Sequence, residues 1–93
     1  MELKVKYSGR FKKSLRLAVK RGLDISLLEQ VVEKLKAGIP LDVKHKDHSL
    51  SGYYKGHREC HIQPDWLLIY YIEADILTLT LVDTGTHADL FKM

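Results

Sequence analysis

The side chains able to do chemistry crowd around H-I-Q-P-D-W, residues 61–66, which runs straight into L-L-I-Y-Y-I. An imidazole, a carboxylate and the only tryptophan therefore stand just ahead of the most apolar run in the chain. A buried strand has no need of a titratable pair at its mouth. The chain has five histidines, His45, His48, His57, His61 and His87, and histidine is the side chain whose unperturbed titration lies nearest neutrality. Cleaving RNA without a metal requires a base to take the 2′-hydroxyl proton and an acid to protonate the departing 5′ oxygen. It also requires positive charge or hydrogen-bond donors around the phosphate. His48, His61 and His87 fall on a loop, a strand end and a C-terminal segment that an antiparallel sheet can bring together, and Asp65 can orient one of the rings. Any one of these histidines alone is more often a surface residue or a cap; the set is what argues for chemistry.

Metal binding is the competing chemistry. H-R-E-C-H, residues 57–61, has the residue types of a zinc motif, but H-E-x-x-H requires a helix with glutamate directly after the first histidine. Here glutamate comes third and the segment reads as a strand, on which His57, Glu59 and His61 share one face. A metal is not the working reading, and no cofactor is expected. Trp66 and Phe91 can stack on bases, at about 1–3 kcal/mol per base, although core packing is the commoner use of such rings. Cys60 is the single cysteine, so no internal disulfide can form.

The net charge of +3 conceals an asymmetry. Residues 1–46 carry 12 Lys/Arg against 5 Asp/Glu, and residues 47–93 carry 3 against 7. Such a basic half is either a solvated helix face or a surface that attracts phosphates. No stretch suits a signal peptide or a membrane span, so a soluble cytoplasmic protein is expected, with residues 1–93 forming one domain.

These residues need a frame. Leu3, Val5 and Tyr7 alternate with polar residues, which predicts a first strand. Ser8 caps a helix to about residue 21 with Phe11, Leu15, Ala18 and Val19 on one stripe, and Asp24 or Ser26 caps a second helix, with Ile25, Leu28, Val32 and Leu35 inward and Gly38 and Pro40 ending it. Residues 41–56 keep no period and read as a loop. Strands follow at 57–63, 66–73 and 76–84, the second apolar on both faces and hence central, with Leu77, Leu79 and Leu81 inward on the third. Residues 86–93 make a short helical turn or a tail. The expected fold is α+β, in the order β-α-α-β-β-β, with an N-terminal helical hairpin packed on a mostly antiparallel sheet.

Three blocks carry a resemblance: D-H-S-L-S-G at 47–52, Y-K-G-H-R-E-C-H-I-Q-P-D-W-L-L-I-Y at 54–70 and T-G-T-H-A-D-L-F at 84–91. Together with Y-S-G-R-F-K-K-S-L-R-L-A-V-K-R-G near the N-terminus, they closely resemble YafQ-type toxins of the RelE/ParE superfamily over nearly the whole chain. The resemblance implies a type II toxin that cuts translated mRNA in the ribosomal A site and is held inactive by a cognate antitoxin. The hetero-oligomer would bind operator DNA through that antitoxin. It implies His48, His61, Asp65 and His87 as catalytic residues and Arg58, Trp66 and Phe91 as substrate-binding ones. Strict strand parity would aim Arg58 away from His61 unless a bulge intervenes. Two departures stand out: Ser49 replaces an expected proline beside His48, and Asp89 adds negative charge near the phosphate site. A gyrase-directed relative of the same superfamily and a non-catalytic basic RNA-binding module remain the alternatives, neither of which needs the histidine set.

Overall fold

The computed structural model describes residues 2–91. Strand β1 (Lys4–Tyr7) leads into helices α1 (Gly9–Lys20) and α2 (Ile25–Lys36). Both helices begin where the sequence supplies a cap: Ser8 Oγ accepts from the Phe11 amide, and Asp24 accepts from the Ser26 amide. After a short helical turn at Val43–His45 come β2 (His48–Ser49), a second turn at Gly52–Tyr54, β3 (Arg58–Gln63), β4 (Trp66–Glu73), a turn at Ala74–Ile76, β5 (Thr78–Gly85) and helix α3 (His87–Phe91). The sheet order is β1-β5-β4-β3-β2, so the doubly apolar strand β4 is central. All pairs are antiparallel except β1 with β5, which run parallel. Among the described residues no helix is long and apolar enough to cross a membrane.

The main core lies between the helix pair and one sheet face. Phe11, Ala18, Leu28, Val31 and Leu35 meet Cys60, Ile62, Trp66, Leu68, Tyr70, Leu79 and Leu81 there. Burial pushes the Cys60 thiol up to about 12. Leu67 and Ile69 are equally inaccessible but stand apart from that core. They pair with His61 and Glu59, on the sheet face turned away from the helices. That second face matters most for function.

Several expectations are corrected. Residues 48–49, read as loop, form an edge strand; of the two forms expected after Gly85 the short helical turn is the one present, at His87–Phe91, and Lys92 and Met93 lie outside the described residues. Val19 is 58% exposed, so the α1 stripe runs through Phe11, Leu15 and Ala18. Leu77 sits in left-handed backbone (φ 49°) where a turn meets β5, and only Leu79 and Leu81 fill the core. Period-two alternation continued one residue too far because a turn was hidden by an apolar residue. Leu68, fully buried on the central strand, supplies a check: Leu68→Ala is expected to cost about 2–5 kcal/mol in urea unfolding, and a loss under about 1 kcal/mol would place this residue outside the main core.

Candidate active site

Strand parity builds the site. Along β3, Cys60 and Ile62 enter the helix-packed core, so Glu59 and His61 emerge on the opposite face. The pairing of β2 with β3 sets His48 opposite Glu59 and therefore on that same face. Ser49 pairs with Arg58, and the Leu50 amide donates to the His57 carbonyl at 2.9 Å. The strand ladder thus fixes His48 without the proline that the resemblance leads one to expect.

Glu59 is 4% exposed, and its Oε1 lies 3.3 Å from His61 Nε2 and 3.6 Å from His48 Nε2. The His48 Nδ1–H donates to the Lys46 carbonyl at 2.6 Å, so the exchangeable nitrogen of that ring is the one facing Glu59. The ring centroids of His48 and His61 are 6.4 Å apart, and those of His61 and His87 are 5.6 Å apart. Three imidazoles from three elements thus stand in a row with His61 in the middle. His61 is nearly enclosed, while His48 and His87 reach solvent.

His87 opens α3 and is held from below. Asp65, in the β3–β4 turn, uses Oδ1 to accept from both the His87 amide at 2.9 Å and its Nδ1–H at 2.6 Å. Those two hydrogen bonds, the backbone one first, hold the Asp65 carboxyl below the ordinary aspartate range. His87 Nε2 is left to face the groove. The groove has a volume of about 620 Å³ and takes in His61, His87, Gln63, Lys44, His45 and Lys46 along its walls. His45, one of the five histidines, donates from Nδ1 to the His61 carbonyl at 2.6 Å and ties the preceding turn onto β3.

The other expected site residues fall differently. The bulge on β3 comes between His61 and Gln63, too late to turn Arg58 around. Arg58 lies across from Tyr70, and its Nε donates to Asp47 Oδ1 at 3.3 Å, an atom that also accepts from the Tyr70 hydroxyl at 2.5 Å. In place of a phosphate contact beside His61, Arg58 anchors the aspartate that precedes His48. Trp66 is 2% exposed and its indole N–H donates to Thr84 Oγ1 at 2.9 Å, so neither ring face is open to a base. The tryptophan is core because β4 begins there and parity sends its side chain toward the helices. Phe91, half-buried, packs edge-on against Tyr54 at 6.0 Å, near the His57–Tyr71 pair. Glu59 enters the sequence reading only as part of a metal set that is set aside; its shared face with His61 is legible there, and its burial is not.

The match to a family model described as "Bacterial toxin of type II toxin-antitoxin system, YafQ" extends over residues 3–92. The chain belongs to that family of type II toxins. It is 41% identical over 88 residues to the mRNA interferase toxin YafQ of Escherichia coli K12, covering 94% of each. Its structure is similar to crystal structures of E. coli YafQ (TM-score 0.89, 38% identity, 97% and 99% of the two chains). The E. coli DinJ–YafQ toxin–antitoxin complex (0.88, 39%, 98% and 99%) and a metal-bound toxin from Helicobacter pylori (0.90, 46%, 96% and 99%) are also similar.

Because the folded-state titration of Asp65 is depressed, the stability it contributes is complete above the ordinary aspartate range and lost as pH falls through its lowered value. Unfolding midpoints measured in urea from neutral pH downward are expected to fall less steeply for Asp65→Asn than for the parent chain. Parallel curves would mean that the Asp65–His87 bond does not hold α3.

Proposed function

We propose that this chain is an endoribonuclease toxin that cuts mRNA on the translating ribosome by metal-independent proton transfer and is silenced by a cognate antitoxin. The row of His48, His61 and His87, with the carboxyl groups of Glu59 and Asp65 beside them, carries the reading. The cluster of His48, Glu59 and His61 takes the proton of a ribose 2′-hydroxyl. The freed oxygen attacks the adjacent phosphorus, a 2′,3′-cyclic phosphate forms, and the P–O5′ bond breaks. His87, aligned by Asp65, gives its Nε2 proton to the leaving 5′ oxygen. Lys44, Lys46 and whichever imidazoles are protonated supply the positive field that the phosphate needs as charge builds on it. Arg58 and Trp66 serve by holding the Asp47–His48 segment and the β4 mouth in place, and Phe91 seats the end of α3 on Tyr54.

The relatives' names support the substrate and the partner: one is called an mRNA interferase, and another is crystallised with its antitoxin. A basic N-terminal half suits an antitoxin with an acidic or amphipathic segment that folds on binding. The imidazole nitrogens that would bind an ion are the same ones that must exchange protons. A bound ion would therefore compete with the reaction.

Inducing the chain without its antitoxin is expected to arrest growth and to leave primer-extension stops in phase with codons. His87→Ala should fold normally and cleave about 10²–10⁴-fold more slowly. His61→Ala/His87→Ala should be harmless to growth. Arrest by the double variant equal to that of the parent chain would defeat the catalytic reading, and DNA damage without RNA cuts would point to gyrase instead.

A further inference from the structure

The acidic residue that departs from the family pattern has an unexpected partner. Asp89, two residues after His87, accepts from both arms of Arg21 at the end of α1: Nη1 to Oδ2 at 2.6 Å and Nη2 to Oδ1 at 3.2 Å. The same Oδ2 accepts from the Thr86 amide at 2.9 Å, and Thr86 Oγ1 accepts from the Asp89 amide at 3.0 Å, a reciprocal cap at the start of α3. The fit is close, since a Cβ on Gly85 would lie 2.9 Å from the Asp89 Cβ. Arg21 and Asp89 are 68 residues apart in sequence, and a cavity of about 260 Å³ with Leu17, Leu23 and Trp66 in its wall opens beside them. The pair therefore bridges a gap rather than lying on a packed surface.

We propose that Arg21 is a positioning residue for cleavage, acting through Asp89 to hold α3, and with it His87, at the scissile phosphate. The proposal rests on the ribonuclease reading above. A five-residue helix does not persist alone in water, so tethers at its start must set its place. Asp65 fixes the His87 end from the sheet, and Arg21 fixes Asp89 from the helix layer; together they define the direction in which His87 Nε2 points. Planar, two-pronged recognition of a carboxylate is what guanidinium provides and an ammonium does not. Asp89 is kept ionised, with its carboxyl held down at about 2 chiefly by Arg21. Its charge is thereby matched instead of opposing RNA. Displacing a catalytic group by about 1 Å costs on the order of 100-fold in rate, so a loosened tether is expected to act on the chemical step.

The test compares the parent chain with Arg21→Ala, Arg21→Lys, Asp89→Asn and the Arg21→Ala/Asp89→Asn double variant on programmed ribosomes, under single turnover at saturating toxin. Asp89→Asn keeps an oxygen for the cap while removing the charge that holds Arg21. Arg21→Ala and Asp89→Asn are each expected to lower the cleavage rate about ten-fold with half-saturation unchanged, and Arg21→Lys to fall between Arg21→Ala and the parent. The double variant should be no slower than either single one, the mark of one shared interaction. If Arg21 instead attracts RNA directly, Arg21→Ala would weaken half-saturation alone and Asp89→Asn would match or exceed the parent rate; either result overturns the proposal. A second readout needs no RNA. The His87 Nδ1–H resonance, protected by its bond to Asp65, is expected to broaden or vanish in Arg21→Ala and Asp89→Asn while urea midpoints stay near that of the parent. An unchanged resonance overturns the tether. Should the parent chain cut no RNA, the nuclease reading fails and the resonance still decides the tether.

Discussion

A carboxylate buried on a sheet face is the constraint from which the rest follows. Glu59 has almost no contact with solvent, and an ionised carboxylate in such a place is costly unless paired. Its partners are the Nε2 atoms of His48 and His61. One of them is two residues along on the same strand, and the other arrives only because β2 adds to the edge of β3. The two-residue strand is thus as necessary to the site as any long element. Asp47, accepting from Arg58 and Tyr70, fixes the approach to it on the opposite side of the sheet.

The molecule divides its labour between the two faces of one sheet. Toward the helices, β3, β4 and β5 contribute apolar side chains to the main core. Away from them, Leu67 and Ile69 are buried on the face that carries His61 and Glu59. His87 belongs to the second layer, and its anchors come from both: Asp65 from the β3–β4 turn, and Arg21, through Asp89, from α1. The end of helix α1 thus reaches the segment that carries His87.

Much of this was readable in the sequence, and the failures have physical causes. Caps at Ser8 and Asp24, the central place of the doubly apolar strand and the α+β layering all follow from local rules. Residue type and family motif point to His48, His61, Asp65 and His87, and the fold brings the three rings and Asp65 together. Parity alone warned that Arg58 would turn from His61. What local pattern cannot supply is a partner distant in sequence. The edge strand at His48–Ser49 exists only by pairing with β3. His48 reaches Glu59 only through that strand, and the apparent excess charge of Asp89 is cancelled by a residue 68 positions away. Trp66 differs for the opposite reason: the resemblance implies a substrate contact, while the face on which β4 begins sends the ring into the core, the commoner use of such a side chain.

The chemistry of the cut ends tests the imidazole mechanism most directly. RNA cleaved by this toxin on ribosomes, with EDTA present at a level that still preserves translation, is expected to carry a 2′,3′-cyclic phosphate or its 3′-phosphate hydrolysis product, opposite a 5′-hydroxyl. Fragments ending in a 3′-hydroxyl and a 5′-phosphate, formed only when a divalent ion is restored to the toxin, would contradict proton transfer by His48, His61 and His87 as the means of scission.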